Sequence, residues 1–306
     1  MFGNTPDVPP DPATYLSAVD GELTTGAQIV FGNLEGTLTT ATTSKCGRAA
    51  TDCFAFRDPP SFATDLRSAG FTILNDANNH SFDFGAAGQA QTVQSIHAAG
   101  MAQTGLPGEI TVVHANGTRV AFVAFAPYFY DASLTDLPAA RALIEKARVG
   151  GGVVVAYMHS GAEGSDADHV TGQEEFLFGE DRGNPEAFAH MAIDAGADLV
   201  IASGPHVLRG MQFYKGHLIA YSLGNFAGYN NFSTAGVLDE SVILHVTLSP
   251  AGSFVGAQLY PIVFEGSGQP VPGGSGPSLI GELSREDFGA GAATVSTSGA
   301  VSPPAG

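Results

Sequence analysis

Four polar blocks, each following a short apolar run, carry the residue types that metal-assisted hydrolysis needs: Asn33-Leu34-Glu35, Asn78-Asn79-His80, His159 with Glu163, and Gly204-Pro205-His206. Glu35 is a carboxylate able to hold or bridge divalent cations, and the Asn79 side-chain oxygen is a hard ligand of the same kind. His159 and His206 offer neutral imidazoles, the usual ligands of zinc, iron or manganese. His80, beside the amide, is placed to give a proton to a leaving oxygen, and Glu163 to orient His159 or cap the next segment. Arg209, three residues beyond His206, is a candidate partner for an anionic substrate, and Asn78 and Asn225 are candidates for substrate contact. Taken singly, each block has a plainer reading: turn-forming Asn, a solvated loop Glu, a hydrogen-bonded structural His. Five strand ends bearing such residues together are hard to ascribe to turns alone.

The elements that would position them alternate along the first two thirds of the chain. Apolar runs at 28–31, 71–74, 120–125, 153–157 and 199–202 read as strands, and 12–19, 61–69, 86–99, 137–147 and 185–195 read as helices. Asn116-Gly117 between two apolar runs is a hairpin signal, and Pro185 with Gly196 brackets a helix. A layered α/β protein gathers the carboxyl ends of its strands along one edge, so blocks placed there share a pocket. Beyond residue 210 the runs at 211–214, 218–222, 241–248 and 253–264 follow without helices, as an antiparallel meander would. Residues 287–306, rich in Gly, Ala, Ser, Thr and Pro, read as a low-complexity, disordered tail after a single domain over 1–286.

Composition narrows the classes. With 30 acidic against 12 basic residues and a net charge of -18, the surface repels a nucleic-acid backbone, which excludes DNA and RNA as partners. No apolar run approaches the roughly 18 residues of a membrane span, and the start lacks a basic segment leading into an apolar one. Cys46 and Cys53, with six residues between them in a polar loop, are close enough to bridge in an oxidising compartment, or to remain as thiols. The acidic group Glu174, Glu175, Glu180 and Asp181 reads as a solvated face.

The stretches Phe31-Gly32-Asn33-Leu34-Glu35-Gly36, Ala77 to Gly85 with its Asn-Asn-His, His159-Ser160-Gly161-Ala162-Glu163, and Gly204-Pro205-His206 through Ser222-Leu223-Gly224-Asn225-Phe226 resemble, in order and spacing, the CapA or poly-γ-glutamate capsule biosynthesis family. That family belongs to the calcineurin-like metallophosphatase superfamily, and the resemblance covers about residues 1 to 265. It implies an α/β fold, a four-layered α/β/β/α metallophosphatase-like sandwich, with a divalent metal (Mn, Zn, Fe or Mg) held by Glu35, Asn79, His159 and His206, and His80 as proton donor. The chain departs from the pattern twice. Gly204 stands where the superfamily's His-x-His has an imidazole, and Met1-Phe2-Gly3 is similar to a family triplet whose preceding Gly-Asp is absent. The second departure implies a fold lacking its first strand and first metal carboxylate, with weak or single-metal binding.

The resemblance further implies an exported or membrane-anchored, extracytoplasmic bacterial protein working with membrane-associated capsule synthesis machinery. Two functions follow: a metal-dependent hydrolase of phosphoester or γ-glutamyl amide bonds, with a small molecule or anionic polymer as substrate, or a non-catalytic capsule assembly and export factor that holds such a polymer. The second would rely on Lys45, Arg57, Arg209 and Lys215 to offset the chain's own negative charge.

Overall fold

The computed structural model describes residues 3–46 and 53–304. Its centre is the strand Val153–His159, with all seven residues buried. It is flanked in parallel by Thr118–Ala126 and by Leu199–Ser203, the near-continuous apolar pattern of strands covered on both faces. The sheet continues outward through His217–Ala220 and Met211–Tyr214 on one side and Thr111–Ala115 on the other. The Thr111–Ala115 hairpin turns at Asn116 and Gly117, whose positive φ values of 50° and 80° are those a tight two-residue turn requires.

Alternation along these strands separates two cores. Val123, Phe125, Val154, Ala156, Met158 and Val200 face outward onto the helices Leu137–Arg148 and Pro185–Asp194. Both helices are capped as their sequences require: Asp136 accepts from the Ala139 N–H at 3.0 Å and Asn184 from the Ala187 N–H at 2.9 Å, each followed by proline in the first turn. Val120, Phe122, Val153, Val155 and Leu199 face inward onto a second β layer. That layer consists of the three-stranded parallel sheet Phe31–Asn33, Ile73–Asn75, Ala102–Thr104 and of an antiparallel sheet built on Ser241–Leu248 and Phe254–Glu265. Its far side packs against Leu16, Val19, Leu23, Phe62, Leu66 and Ile96, from the helical segments between residues 12 and 98. The order is helix, sheet, sheet, helix, the four layers expected.

The second β layer is interrupted. Phe31–Asn33 and Ser241–Leu248 are each paired on one side only among the described residues, and a channel of about 950 Å³ runs between them. Residues 26–35 and 242–250 line it as two unbroken runs. A strand face contributes only alternate residues, so unbroken runs mean that the channel follows the backbone edges themselves. No strand lies in this space among the described residues, in accord with a sheet short of one strand.

Three expectations are corrected. The chain after residue 210 is not one meander: Met211–Tyr214 and His217–Ala220 join the central sheet, and the later strands form their own. The helix Gly276–Phe288 has no counterpart in the sequence reading. Residues 287–304 are not a disordered tail, because Thr294–Val295 and Ala300–Ser302 extend the antiparallel sheet and Val301 is buried on it. Edge strands are held by backbone pairing, so small residues suffice there. Cys46 and Cys53 are disulfide-bonded, with Cα atoms 5.6 Å apart. Among the described residues, no helix is long and apolar enough to cross a membrane.

Candidate functional site

The site straddles the two β layers where their strand ends meet. Asn33 follows from the edge strand of the smaller sheet and organises one wall. Its Oδ1 accepts from Asn75 Nδ2 at 2.8 Å and Asn78 Nδ2 at 3.1 Å, and its Nδ2 donates to Glu35 Oε2 at 3.1 Å and Ser203 Oγ at 3.2 Å. Asn78 is fully buried, donates also to the Leu34 carbonyl and accepts from the His80 N–H. Its polar atoms are committed to shaping this wall, so it does not have the substrate-contact role the sequence suggested. Asn33 stood in one of the polar blocks without a role of its own, and Asn75 was not singled out from sequence, where Asn near a strand end reads as a turn former.

His80 sits at the mouth with its Nδ1 2.9 Å from Asp83 Oδ2. Asp83 is fully buried and also accepts from the Phe56 N–H at 2.6 Å and pairs with Lys45 Nζ at 2.6 Å. These donors fix it as a carboxylate, so His80 keeps its proton on Nδ1 and turns Nε2 away from Asp83. Cys46, next to Lys45, ties that loop through its bridge to Cys53.

The opposite wall comes from the central sheet. His206 has a left-handed backbone, φ 62°, which aims its ring back into the pocket. Asn225 Oδ1 holds its Nδ1 at 2.7 Å, so Asn225 orients an imidazole within the pocket. His206 Nε2 faces Glu35 Oε1 at 3.3 Å and Glu163 Oε2 at 3.8 Å. Burial alone would lower the His206 pKa, but the Glu35 carboxylate, aided by Glu163, carries it up to about 9. Burial acts on Glu35 too, yet the charged His206 beside it brings its pKa well below the ordinary carboxylate range.

His159 is fully buried at the end of the central strand. Burial, with help from a neighbouring guanidinium, lowers its pKa to about 3, so the ring is neutral. That guanidinium belongs to Arg182, from the excursion that follows Glu163, and its Nη2 lies 3.1 Å from His159 Nε2 and 2.9 Å from Glu163 Oε1. Arg182 was not anticipated: its acidic neighbours read as a solvated face, and no apolar period marks it as buried. Glu175 from the same group is mostly buried against Arg209, in a two-pronged pair at 2.7 and 3.0 Å. Arg209 donates also to the Ala167 carbonyl and does not line the cavity, so it braces the 160–184 excursion and is withdrawn as a substrate ligand.

Asn79 Oδ1 is buried with no hydrogen-bond partner among the described residues, and the buried Glu35 Oε1 meets only the His206 Nε2 contact at 3.3 Å. The Asn79 amide is set by Nδ2 donating to Glu163 Oε1 at 3.4 Å. Acceptors so placed fit a cation. With His206 they make a carboxylate, amide and imidazole set suited to one divalent metal ion. Histidine, cysteine and carboxylates alone do not suffice, since no group of three or more of them is arranged to hold a metal among the described residues. Ser203, one residue before the glycine that stands in place of the superfamily's imidazole, hydrogen-bonds Asn33, His159 Nδ1 at 3.4 Å and the Tyr157 hydroxyl.

Residues 5–230 match the family described as bacterial capsule synthesis protein PGA_cap. The chain belongs to that family. Relatives in sequence include the capsule biosynthesis protein CapA of Bacillus anthracis, 30% identical over 67% of this chain and 51% of that protein. The PGA biosynthesis protein CapA of Bacillus subtilis is 31% identical over 53% of this chain and 43% of its own length. The chain thus spans about half the length of these CapA relatives. A crystal structure of a hypothetical protein from Thermus thermophilus aligns over 85% of this chain and 89% of its own, with 14% identity and a TM-score of 0.43. In this PGA_cap chain, the matched region contains Glu35, Asn79, His80, His159, Glu163, His206 and Asn225, and all of them lie in the one pocket or directly against it.

Proposed function

We propose that this PGA_cap chain is a hydrolase dependent on a divalent metal, acting on phosphoester or γ-glutamyl amide bonds of a capsule-type anionic polymer or of a small molecule related to it. The observation that carries the reading is the juxtaposition of the His80–Asp83 pair with the unpartnered Asn79 Oδ1 and with the Glu35 carboxylate that faces His206 in the same cleft. A metal ion held there, by Glu35, Asn79 and His206, would supply Lewis-acid polarisation and an activated water. The chain's own groups do the rest. Asp83 accepts the Nδ1 proton of His80, so the ring presents Nε2 to the cleft and, once protonated, can deliver that proton to a departing oxygen or nitrogen. Glu163 and Asn225 fix the Asn79 amide and the His206 ring.

A protein that only holds the polymer would need a basic groove. The four cations that might form one are engaged elsewhere: Lys45 with Asp83, Arg57 with the Ala41 carbonyl, Arg209 with Glu175 and Lys215 with Asp194. This favours the hydrolase reading, with bound cations offsetting the substrate's charge. The disulfide supports an extracytoplasmic site of action, beside membrane-associated capsule machinery.

The test is hydrolysis of bis-(p-nitrophenyl) phosphate and of γ-glutamyl peptides with Mn²⁺, Zn²⁺, Fe²⁺ or Mg²⁺ supplied in turn. Activity on one of these classes is expected, reduced about 10²–10⁴-fold in His80→Ala. A metal-independent rate, or one indifferent to His80, sinks the reading.

A further inference from the structure

We propose that Arg182 is the second cation of this site: its guanidinium, in place of a second metal ion, occupies the Nε2 lone pair of His159 and one oxygen of Glu163, so that the pocket accepts a single divalent ion. The inference rests on the reading of the pocket as a cation site.

Arg182 is fully buried, and its placement is not left to a flexible side chain alone. Its backbone N–H donates to the Glu175 carbonyl at 2.9 Å and its carbonyl accepts from the Gly161 N–H at 3.1 Å, so the residue is pinned on both sides. Nη2 then reaches His159 Nε2 at 3.1 Å and Glu163 Oε1 at 2.9 Å. A guanidinium has donors only and does not lose its proton in a protein, so the Nε2 atom facing it must be the acceptor. His159 is left with its proton on Nδ1, the nitrogen that faces Ser203 Oγ at 3.4 Å.

Metal ligation requires the same lone pair. An ion bound to an imidazole nitrogen sits about 2.1 Å from it. With Nη2 already 3.1 Å from Nε2, such an ion would be pressed against a permanent positive charge in a poorly solvated pocket, where like charges repel strongly. The remaining feature agrees. An imidazole at position 204 is absent, and the backbone excludes one, since a Cβ there would stand 2.6 Å from the Ser160 carbonyl oxygen at φ 128°. The donor set left open, Glu35, Asn79 and His206, is that of one ion.

The test is metal counting by elemental analysis and Mn²⁺ titration calorimetry on the wild type, Arg182→Gln and Arg182→Lys. The expected result is one Mn²⁺ per chain in the wild type and in Arg182→Lys, which keeps the charge, and two in Arg182→Gln, which opens His159 and Glu163. Two ions in the wild type overturn the inference outright. So does a folded Arg182→Gln, by circular dichroism and melting, that binds no more than the wild type. Should Arg182→Gln fail to fold, His159→Ala decides: unchanged single-ion binding supports the inference, and loss of the ion overturns it. A wild type that takes up no metal and hydrolyses nothing defeats the hydrolase reading, whereas a gain of one ion in Arg182→Gln over that baseline still supports the role of Arg182.

Discussion

Asp76 and Asp131 are costly side chains to keep ionised. Both are buried, and none of their four carboxyl oxygens has a hydrogen-bond partner among the described residues. Burial first, and then the proximity of Asp76, push the Asp131 pKa up to about 9, so it is protonated at neutral pH. In the unfolded chain it titrates near about 4. Between those values the folded state holds a proton that the unfolded state has lost, so stability falls as pH rises. The contribution is complete below about pH 4 and gone once pH has passed about 9. Melting temperature followed from pH 5 to 9 should decline in the wild type and decline less in Asp131→Asn; parallel declines would refute the assignment. At this scale residue type and strand-end position were enough to bring Glu35, Asn79, His159 and His206 around one pocket, though not to assign the role of each. It was uninformative where the partner decides the role. Arg209 and Arg182 are both lone arginines near acidic residues, yet one closes a loop with Glu175 and the other enters the site against His159.

The loop from Ser203 to His206 shows how an element limits what a residue can be. Gly204 has φ 128°, and its missing Cβ leaves room for the Ser160 carbonyl. Restoring the superfamily's imidazole as Gly204→His should therefore fail as a repair. It is expected to cost about 2 kcal/mol or more, from backbone strain and the clash, with no gain in bound metal. Urea denaturation and elemental analysis read the two effects; a stable variant with an added ion would show that the loop can rearrange. Strands with Val, Ile and aromatic runs were legible to within about two residues, because a buried strand must be apolar on both faces, except that the run at 28–31 forms its strand at Phe31–Asn33. The C-terminal strands were not: Thr294–Val295 and Ala300–Ser302 bring one or two buried side chains, and what holds them is main-chain pairing that any sequence can supply. The Gly276–Phe288 helix escaped for a related reason, since glycine and proline at its start resemble a loop.

Across the whole molecule, the alternation of strand and helix signals pointed to a layered α/β protein, whereas the four-layer order and a missing strand were what the family resemblance implied, and the place of the break in the second β layer was not legible. Which strand ends up beside which is set by chain crossings that no local pattern records. That break gives the interior an uneven resistance to opening. Amide hydrogens in mid-sheet normally exchange only with global unfolding, whereas those facing unpaired space exchange through small local motions. Beyond Val242, whose N–H is taken by the Leu223 carbonyl at 3.2 Å, the strand Ser241–Leu248 is bonded to Phe254–Glu265 on one side and faces the channel on the other, and its alternate amides point in opposite directions. Hydrogen exchange by NMR should thus show a comb along this strand, with every second amide slow and its neighbours fast; uniform protection would mean that the channel is closed in solution. Val153–His159, bonded on both sides, should be slow throughout. The last part of the fold to admit solvent and one of the first are then separated by only the thickness of two packed sheets, and local opening of the molecule should begin from the inside.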